Sequence, residues 1–218
     1  MSLKIAVADD HGIIRQGLRL LLEKQPDVKV VGEAEDGREI IELVREKSPD
    51  IVIMDITMPN LNGVDAARLI REEMPDVKII ALSIHSNRRF VADMLRAGAS
   101  GYVLKECLFE ELIQAINTVS TGSIYLSPRI AGVVVDDYVG QMSKGPKSRR
   151  KTGLSSRDRE VLQLLAEGNA TKEIALKLHA SIKTIEANRR RIMEKLDMHS
   201  VAELTKYAIR EGMTSLEQ

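Results

Sequence analysis

The chain has 218 residues, of which 44% are hydrophobic, and its aromatic residues are only four Tyr and two Phe. This length allows one or two domains, and their cores must be aliphatic. The single Cys107 excludes an internal disulfide and fits a reducing compartment. No apolar run approaches the roughly 20 residues that span a bilayer, and no export signal is visible. We therefore expect a cytoplasmic protein without a membrane partner.

The zero net charge hides an asymmetry between the two halves of the chain. Residues 1–120 carry 15 Lys+Arg and 20 Asp+Glu, whereas residues 121–218 carry 17 and 12. This difference suggests two modules with different partners, and a basic module favours nucleic acid. Ordinary variation of the surface charge would explain the same numbers, so the asymmetry alone decides little.

The first half alternates between strand-like and helical patterns. The strand-like runs cover 4–8, 28–33, 51–54, 77–82 and 101–104. The helical patterns between them cover 13–23, 38–46, 64–74, 88–97 and 109–120. The third and fourth strands are apolar without alternation, as expected when helices cover both faces of a parallel sheet. The pattern predicts an α/β doubly wound fold with a five-stranded parallel sheet.

Carboxylates follow two of these strands. Asp55 ends the third strand, and Asp9 and Asp10 follow the first. Because ligand sites of open α/β sheets lie outside the carboxyl ends of the strands, the three side chains should meet at one edge. Such a cluster predicts a divalent-metal site with a nucleophile inside it. A lone Asp at a strand end is more often a turn former or a helix cap.

This part of the chain resembles the receiver domain of two-component response regulators. The matching text is VADD at 7–10, DITMPNLNG at 55–63, ALS at 81–83 and GYVLK at 101–105. The resemblance implies a flavodoxin-like receiver domain over residues 1–122. It also implies that Asp55 is the phosphoacceptor, a carboxylate nucleophile that forms an acyl phosphate.

The same resemblance implies a Mg²⁺ site, since this hard cation prefers oxygen ligands. Asp10 and Asp55 would bind the ion directly, together with the main-chain carbonyl of Thr57, and Asp9 would bind through water. His11 adjoins the acidic pair, and we interpret it as a solvent-facing residue rather than a ligand.

Three further residues of the resemblance concern the phosphoryl group. Lys105 would neutralise its oxygens, and Ser83 would form a hydrogen bond to it. Tyr102, the switch residue, would then change rotamer beneath the helix predicted over 88–97. The alternatives are that Ser83 caps a helix and that Tyr102 only packs in the core.

The second half contains a linker and a small helical domain. The linker, 123–151, should contain a short helix from Pro128 to about residue 138, followed by a flexible basic stretch from 143. From 152 to 218 the pattern predicts four short helices. The middle two are joined by a few residues, as in a helix-turn-helix unit.

Residues 153–196 resemble the LuxR-type DNA-binding domain, so the whole chain resembles the NarL/FixJ class of response regulators. In the helix predicted from 182 to 196, a cationic face lies opposite an apolar one, as a recognition helix requires. By the family pattern, the residues that would contact base edges are Glu186, Ala187 and Arg190, and those that would contact phosphates are Lys183, Thr184 and Arg191. Taken alone, the three consecutive arginines could be a solvated charge run.

A single small helix-turn-helix has little contact area, so we expect a homodimer on double-stranded promoter DNA. In this family the last helix forms the dimer contact. The candidates are Val201, Leu204, Tyr207 and Ala208, although core packing is an equally good interpretation for Leu204 and Ala208.

These features predict a DNA-binding transcription regulator, controlled by phosphorylation of Asp55 by a sensor histidine kinase. It would not be a turnover enzyme, although the receiver would catalyse its own phosphorylation and dephosphorylation. A haloacid-dehalogenase-type phosphatase also uses an aspartyl nucleophile, but it needs a second Asp where this chain has Thr57. A third possibility is an interaction protein whose helical domain binds protein instead of DNA.

Overall fold

The computed structural model describes residues 2–106, 109–144 and 153–214. The chain forms two compact units that divide near residue 146. Cys107 and most of the basic stretch of the predicted linker lie outside the described residues. Within the described ranges, no helix is long and apolar enough to cross a membrane.

The first unit is a parallel sheet with helices between its strands. Its strands are β1 Leu3–Ala8, β2 Val28–Ala34, β3 Ile51–Asp55, β4 Lys78–Ser83, β5 Gly101–Leu104 and β6 Tyr125–Leu126. Its helices are α1 Gly12–Leu22, α2 Gly37–Lys47, α3 Gly63–Glu73, α4 Arg88–Arg96, α5 Phe109–Ser120 and α6 Pro128–Lys144. The strand order is β2-β1-β3-β4-β5-β6, and every pairing is parallel. The predicted doubly wound fold is therefore confirmed.

The sheet has one strand more than the five that the sequence predicts. β6 is only two residues long and pairs with β5 through Gly101 and Tyr102. The amide of Ser127 also donates to the carbonyl of Tyr102 at 3.0 Å. A two-residue strand has no periodicity of its own, so only the edge of β5 makes it a strand.

The central strands β1, β3 and β4 are buried because helices cover both faces of the sheet. Every residue of β3 is buried, as are the last four of β1. One face contributes Ile5, Ile53 and Val103 to a single aliphatic cluster with α5. This core fixes the carboxyl ends of β1 and β3, where the acidic residues lie.

Strand β6 and helix α6, which follow α5, belong to the first unit. Helix α6 begins at Pro128, as predicted, but runs to Lys144 and not to about residue 138. Ile130 of α6 is fully buried. The boundary at residue 122 between receiver and linker stays a prediction.

The described residues of the second unit, 153–214, form four helices, as the sequence predicts: α7 Ser156–Ala166, α8 Thr171–Lys177, α9 Ile182–Leu196 and α10 Val201–Arg210. Between α8 and α9 the chain turns sharply, and His179 adopts a left-handed conformation with φ of 48°. Aliphatic side chains from all four helices form one core, including Leu162, Ile174, Ile192 and Leu204. This is the predicted helix-turn-helix arrangement.

The structure places three of the four predicted dimer candidates of α10 in the core of the unit. Leu204, Tyr207 and Ala208 are buried, whereas Val201 is partly exposed. A dimer contact through α10 stays a prediction. Their spacing follows the inward face of the helix, whereas Ala202 and Lys206 are exposed on the other face. The alternative interpretation of Leu204 and Ala208 as core residues is the right one.

Candidate functional site

The three predicted carboxylates meet at the edge of the sheet where β1 and β3 end. Asp9 is 1% exposed and Asp55 is 5% exposed, whereas Asp10 is partly open to solvent. One potential ligand atom from each of Asp9, Asp10, His11 and Asp55 lies within 4.8 Å of the others. Adjacent parallel strands thus produce the cluster that the sequence predicts, since β1 pairs with β3.

Lys105, just beyond β5, brings a cation into this cluster. Its Nζ lies 2.6 Å from Asp55 Oδ2 and 2.7 Å from Asp9 Oδ2. Burial acts to lower the pKa of Lys105, but the two carboxylates outweigh it and the pKa is raised. The side chain therefore stays a full positive charge beside Asp55.

The two oxygens of Asp55 have different partners. Oδ2 accepts from Lys105, whereas Oδ1 accepts from the amides of Ile56 at 2.6 Å and Thr57 at 3.4 Å. Burial raises the pKa of Asp55 above its usual range, and the opposing charge of Lys105 reduces this effect. The result is a poorly solvated carboxylate held in one orientation, which suits a nucleophile.

Gly63 allows helix α3 to approach the strand that carries Asp55. Its amide donates to the carbonyl of Ile56 at 2.8 Å. A Cβ at this position would lie 2.1 Å from the main-chain oxygen of Asp55, so only glycine fits. The packing of α3 thus supports the end of β3, and the sequence reveals this only as a turn signal.

Ser83 and Tyr102 lie together beside the cluster, and both are fully buried. Ser83 Oγ accepts from the amide of His85 at 3.1 Å, and Tyr102 donates its hydroxyl to the His85 carbonyl at 2.6 Å. Burial raises the pKa of Tyr102, so it remains a neutral donor. Helix α4 is capped by Asn87, so the alternative that Ser83 caps this helix is excluded.

His85 is a part of the site that sequence reasoning missed. Its ring stacks on Phe90 of α4, with centroids 4.2 Å apart and an angle of 6° between the planes. Its backbone also joins Ser83 and Tyr102, so it links the strand end to the helix. A histidine in a loop has no sequence signal for either contact.

The donors at the cluster fit a hard cation. Thr57 Oγ1 is buried and has no hydrogen-bond partner among the described residues, and all the predicted ligand atoms are oxygens, as Mg²⁺ prefers. His11 is 64% exposed, as predicted, yet its Nδ1 lies 2.8 Å from Asp10 Oδ1. Arg15, which the sequence did not single out, donates to the main-chain oxygen of Asp9 at 2.6 Å.

A second candidate site is the outer face of α9 in the helical unit. Its predicted inward residues Ile185 and Ile192 are buried, and so is Asn188. Ser181 caps the helix by accepting from the amide of Thr184 at 3.0 Å. All six predicted DNA contacts are exposed: Lys183, Thr184, Glu186, Ala187, Arg190 and Arg191.

The cations on this face have different environments. Within the part of the chain that the structure describes, Lys183 and Arg190 form no ion pair. Arg191, in contrast, is paired with the buried Asp158 of α7 at 2.5 Å. No local pattern predicts this pair, because its members are 33 residues apart.

Comparisons with known proteins cover both units of the chain. The sequence pattern of the response regulator receiver domain matches residues 5–117. That of the bacterial regulatory proteins of the luxR family matches residues 152–208. Two relatives match over nearly the whole chain. The oxygen regulatory protein NreC of Staphylococcus carnosus is 39% identical, over 97% of this chain and 99% of its own length. The transcriptional regulatory protein DegU of Brevibacillus brevis is 32% identical, over 97% of this chain and 94% of its own length.

A solved structure with the same two-part organisation is RcsB from Salmonella enterica serovar Typhimurium, bound to a promoter in the presence of the phosphomimetic BeF3-. It is 28% identical with a TM-score of 0.61, over 98% of this chain and 100% of that one. The likeness therefore extends over both units of this chain. This chain belongs to the NarL/FixJ class of two-component response regulators, with a receiver domain and a LuxR-type DNA-binding domain.

Proposed function

We propose that Asp55 accepts a phosphoryl group from a sensor histidine kinase and that this modification controls DNA binding by α9. The observation that carries the proposal is the buried Asp55 carboxylate held between two backbone amides and the Lys105 ammonium. A carboxylate without such charge compensation would repel a phosphoryl donor. The function is regulatory, and the chemistry proposed is limited to self-catalysed phosphorylation and dephosphorylation.

The transfer begins with an oxygen of Asp55 attacking the phosphorus atom of a phosphohistidine. The P–N bond breaks as the new O–P bond forms, and the leaving imidazole nitrogen keeps the electron pair and takes up a proton. Lys105 is placed to balance negative charge on the phosphoryl oxygens. Dephosphorylation follows when water attacks the phosphorus atom of the acyl phosphate: the bond between Asp55 and phosphorus breaks, inorganic phosphate leaves, and the Asp55 carboxylate is regenerated.

We propose that Asp10, Asp55 and the main-chain oxygen of Thr57 hold Mg²⁺ directly, with Asp9 contributing through water. When bound, the ion would supply positive charge that brings two anionic reactants together. The clustering of ligand atoms from Asp9, Asp10 and Asp55 within 4.8 Å of one another supports this assignment.

The signal would leave the site through β4 and α4. A phosphoryl group on Asp55 would accept a hydrogen bond from Ser83, whose Oγ now accepts from the His85 amide. Moving Ser83 changes the loop that Tyr102 contacts, and His85 stacks on Phe90 of α4. Tyr102 is therefore the proposed switch between the modified site and the surface of α4.

The output would be binding of a homodimer to double-stranded promoter DNA in the cytoplasm. The exposed side chains of Glu186, Ala187 and Arg190 would contact base edges. Lys183 and Thr184 would contact phosphates, which is the role that the family pattern also gives to Arg191. Support comes from the exposure of all six on one helix and from the DNA-bound relative of similar fold.

Replacement of Asp55 tests the proposal. Asp55→Asn removes the nucleophile while keeping its shape, so acetyl phosphate with Mg²⁺ should no longer phosphorylate the chain. DNA affinity should then stop responding to the phosphodonor. Asp76→Asn is the matched control, because Asp76 is exposed and distant in sequence from the cluster. Phosphate incorporation into the Asp55→Asn variant, seen by intact-mass measurement, would show that the assigned acceptor is wrong.

A further inference from the structure

Asp158 is a fully buried carboxylate in the DNA-binding unit, with 0% of its surface exposed. It lies in the first turn of α7 and forms a capping box with Ser155. The Ser155 amide donates to Asp158 Oδ2 at 3.1 Å, and the Asp158 amide donates to Ser155 Oγ at 3.1 Å. A cap satisfies the start of a helix, but a cap alone needs neither burial nor a charge.

Both oxygens of the Asp158 carboxylate also accept hydrogen bonds from the proposed recognition helix α9. Arg191 donates from Nε at 3.0 Å and from Nη2 at 2.5 Å, both to Asp158 Oδ1. Lys195 donates to Asp158 Oδ2 at 2.9 Å and to the main-chain oxygen of Gly153 at 2.7 Å. Two cations one helical turn apart thus reach back to one anion on a neighbouring helix.

These contacts fix α9 both along and around its axis. Arg191 also donates to Asn188 Oδ1 at 3.1 Å, which connects the ion pair to the buried side of α9. The Asp158 pKa supports a permanent charge, because donation from Lys195 and Arg191 outweighs the effect of burial and lowers it. Asp158 is therefore an anion in the folded unit at neutral pH.

We propose that Asp158 is a positioning residue that determines DNA specificity: it orients α9 and holds Arg191 and Lys195 away from the phosphate backbone. The inference rests on the proposed DNA face of α9, and it gives Arg191 an orienting role in place of a phosphate contact. The role differs from that of Arg190, which forms no ion pair within the described residues.

Specificity and overall affinity should respond differently to this arrangement. Base-edge contacts require a fixed helix orientation, whereas phosphate contacts require only positive charge. Loss of the anion would loosen the orientation and free two cations for any phosphate. Binding to the preferred sequence should weaken while binding to random DNA is maintained or strengthened.

The test uses the full chain and two duplexes: one enriched from a random library by the wild-type protein, and a scrambled version of it. Asp158→Asn keeps the shape and removes the charge. The ratio of the two affinities should fall about tenfold, comparable to the loss of one base pair of discrimination. The slope of log K against log salt should steepen by about one unit for each freed cation that reaches a phosphate.

Two further variants separate positioning from folding. Glu160→Gln removes the same charge from α7 and breaks an ion pair with Arg157 at 2.8 Å that lies within α7, so it should leave the ratio unchanged. Arg191→Lys keeps the charge on the half-exposed side chain but loses the two-nitrogen contact, so the ratio should fall without a change in salt slope. This variant tests the inference even if Asp158→Asn does not fold.

An unchanged ratio of the two affinities in both Asp158→Asn and Arg191→Lys would overturn the inference while leaving the DNA interface intact. Equal losses on the two duplexes would be one such result. A uniform loss in Arg191→Lys would return Arg191 to the role of a phosphate contact. If the wild-type chain enriched no duplex, the DNA interface itself would be wrong, and the inference would fall with it.

Discussion

The contact between helix α3 and the end of β3 makes Gly63 a sensitive position. A Cβ on Gly63 would lie 2.1 Å from the main-chain oxygen of Asp55, and real Cβ atoms almost never approach closer than 3.0 Å. Relief therefore requires a shift of about 1 Å, in a backbone that cannot rotate away as a side chain can. We expect Gly63→Ala to move the strand end that holds the phosphoacceptor.

The size of the effect follows from this displacement. Overpacking of this kind costs about 1–3 kcal/mol of unfolding free energy. A misplacement of about 1 Å can reduce a rate about 100-fold. Urea unfolding and the rate of phosphorylation by acetyl phosphate, followed on phosphate-affinity gels, measure the two effects separately.

Gly17→Ala is the matched control. Gly17 lies inside α1, and nothing would be within 4 Å of an added Cβ. Because glycine is unfavourable in a helix, this change should stabilise the protein by about 0.5–1 kcal/mol. If Gly63→Ala matched Gly17→Ala in both stability and phosphorylation rate, the argument from steric contact would be refuted.

Two further predictions concern the buried charges. Lys105→Met should reduce the rate of phosphorylation about 100-fold or more, because Asp9 and Asp55 lose their shared cation. Lys29→Met is the control, because Lys29 is exposed. Equal rates in the two variants would contradict the role assigned to Lys105. Asp158→Asn should lower stability at pH 7 by about 1–2 kcal/mol, since its partners on α9 are partly exposed and can be solvated. The folded-state pKa of Asp158 is depressed, so its contribution is present above its unfolded pKa of about 4 and is lost as the pH falls below it. Urea unfolding curves should therefore show a difference between wild type and Asp158→Asn that narrows from about pH 5 downward; a constant difference would mean that the charge contributes nothing.

Much of the fold can be predicted from the sequence because its signals are local. Helix α9 begins at Ile182 and ends at Leu196, as its apolar spacing predicts. The clustering of Asp9, Asp10 and Asp55 also follows from local information, since parallel strands place their carboxyl ends at one edge. Ser83 and Lys105 follow strands of the same sheet and meet the site for the same reason.

Long-range packing decided what local patterns leave open. On α10 the periodicity is equally consistent with a dimer contact and with a core face, and only the packing of the other helices shows that Leu204 and Ala208 are inside. Strand β6 exists because β5 offers it an edge.

The sequence by itself determined the class of the protein and the residue types of its sites, because the succession of strands and helices along the chain, the helix period and the motifs are properties of the sequence. The tertiary structure alone decided the partners of the buried charges. Asp158 meets Arg191 and Lys195 across helices, and Lys105 meets Asp55 from 50 residues away. A buried charge must find its counterion wherever the fold places one, and that requirement leaves no periodic trace in the sequence.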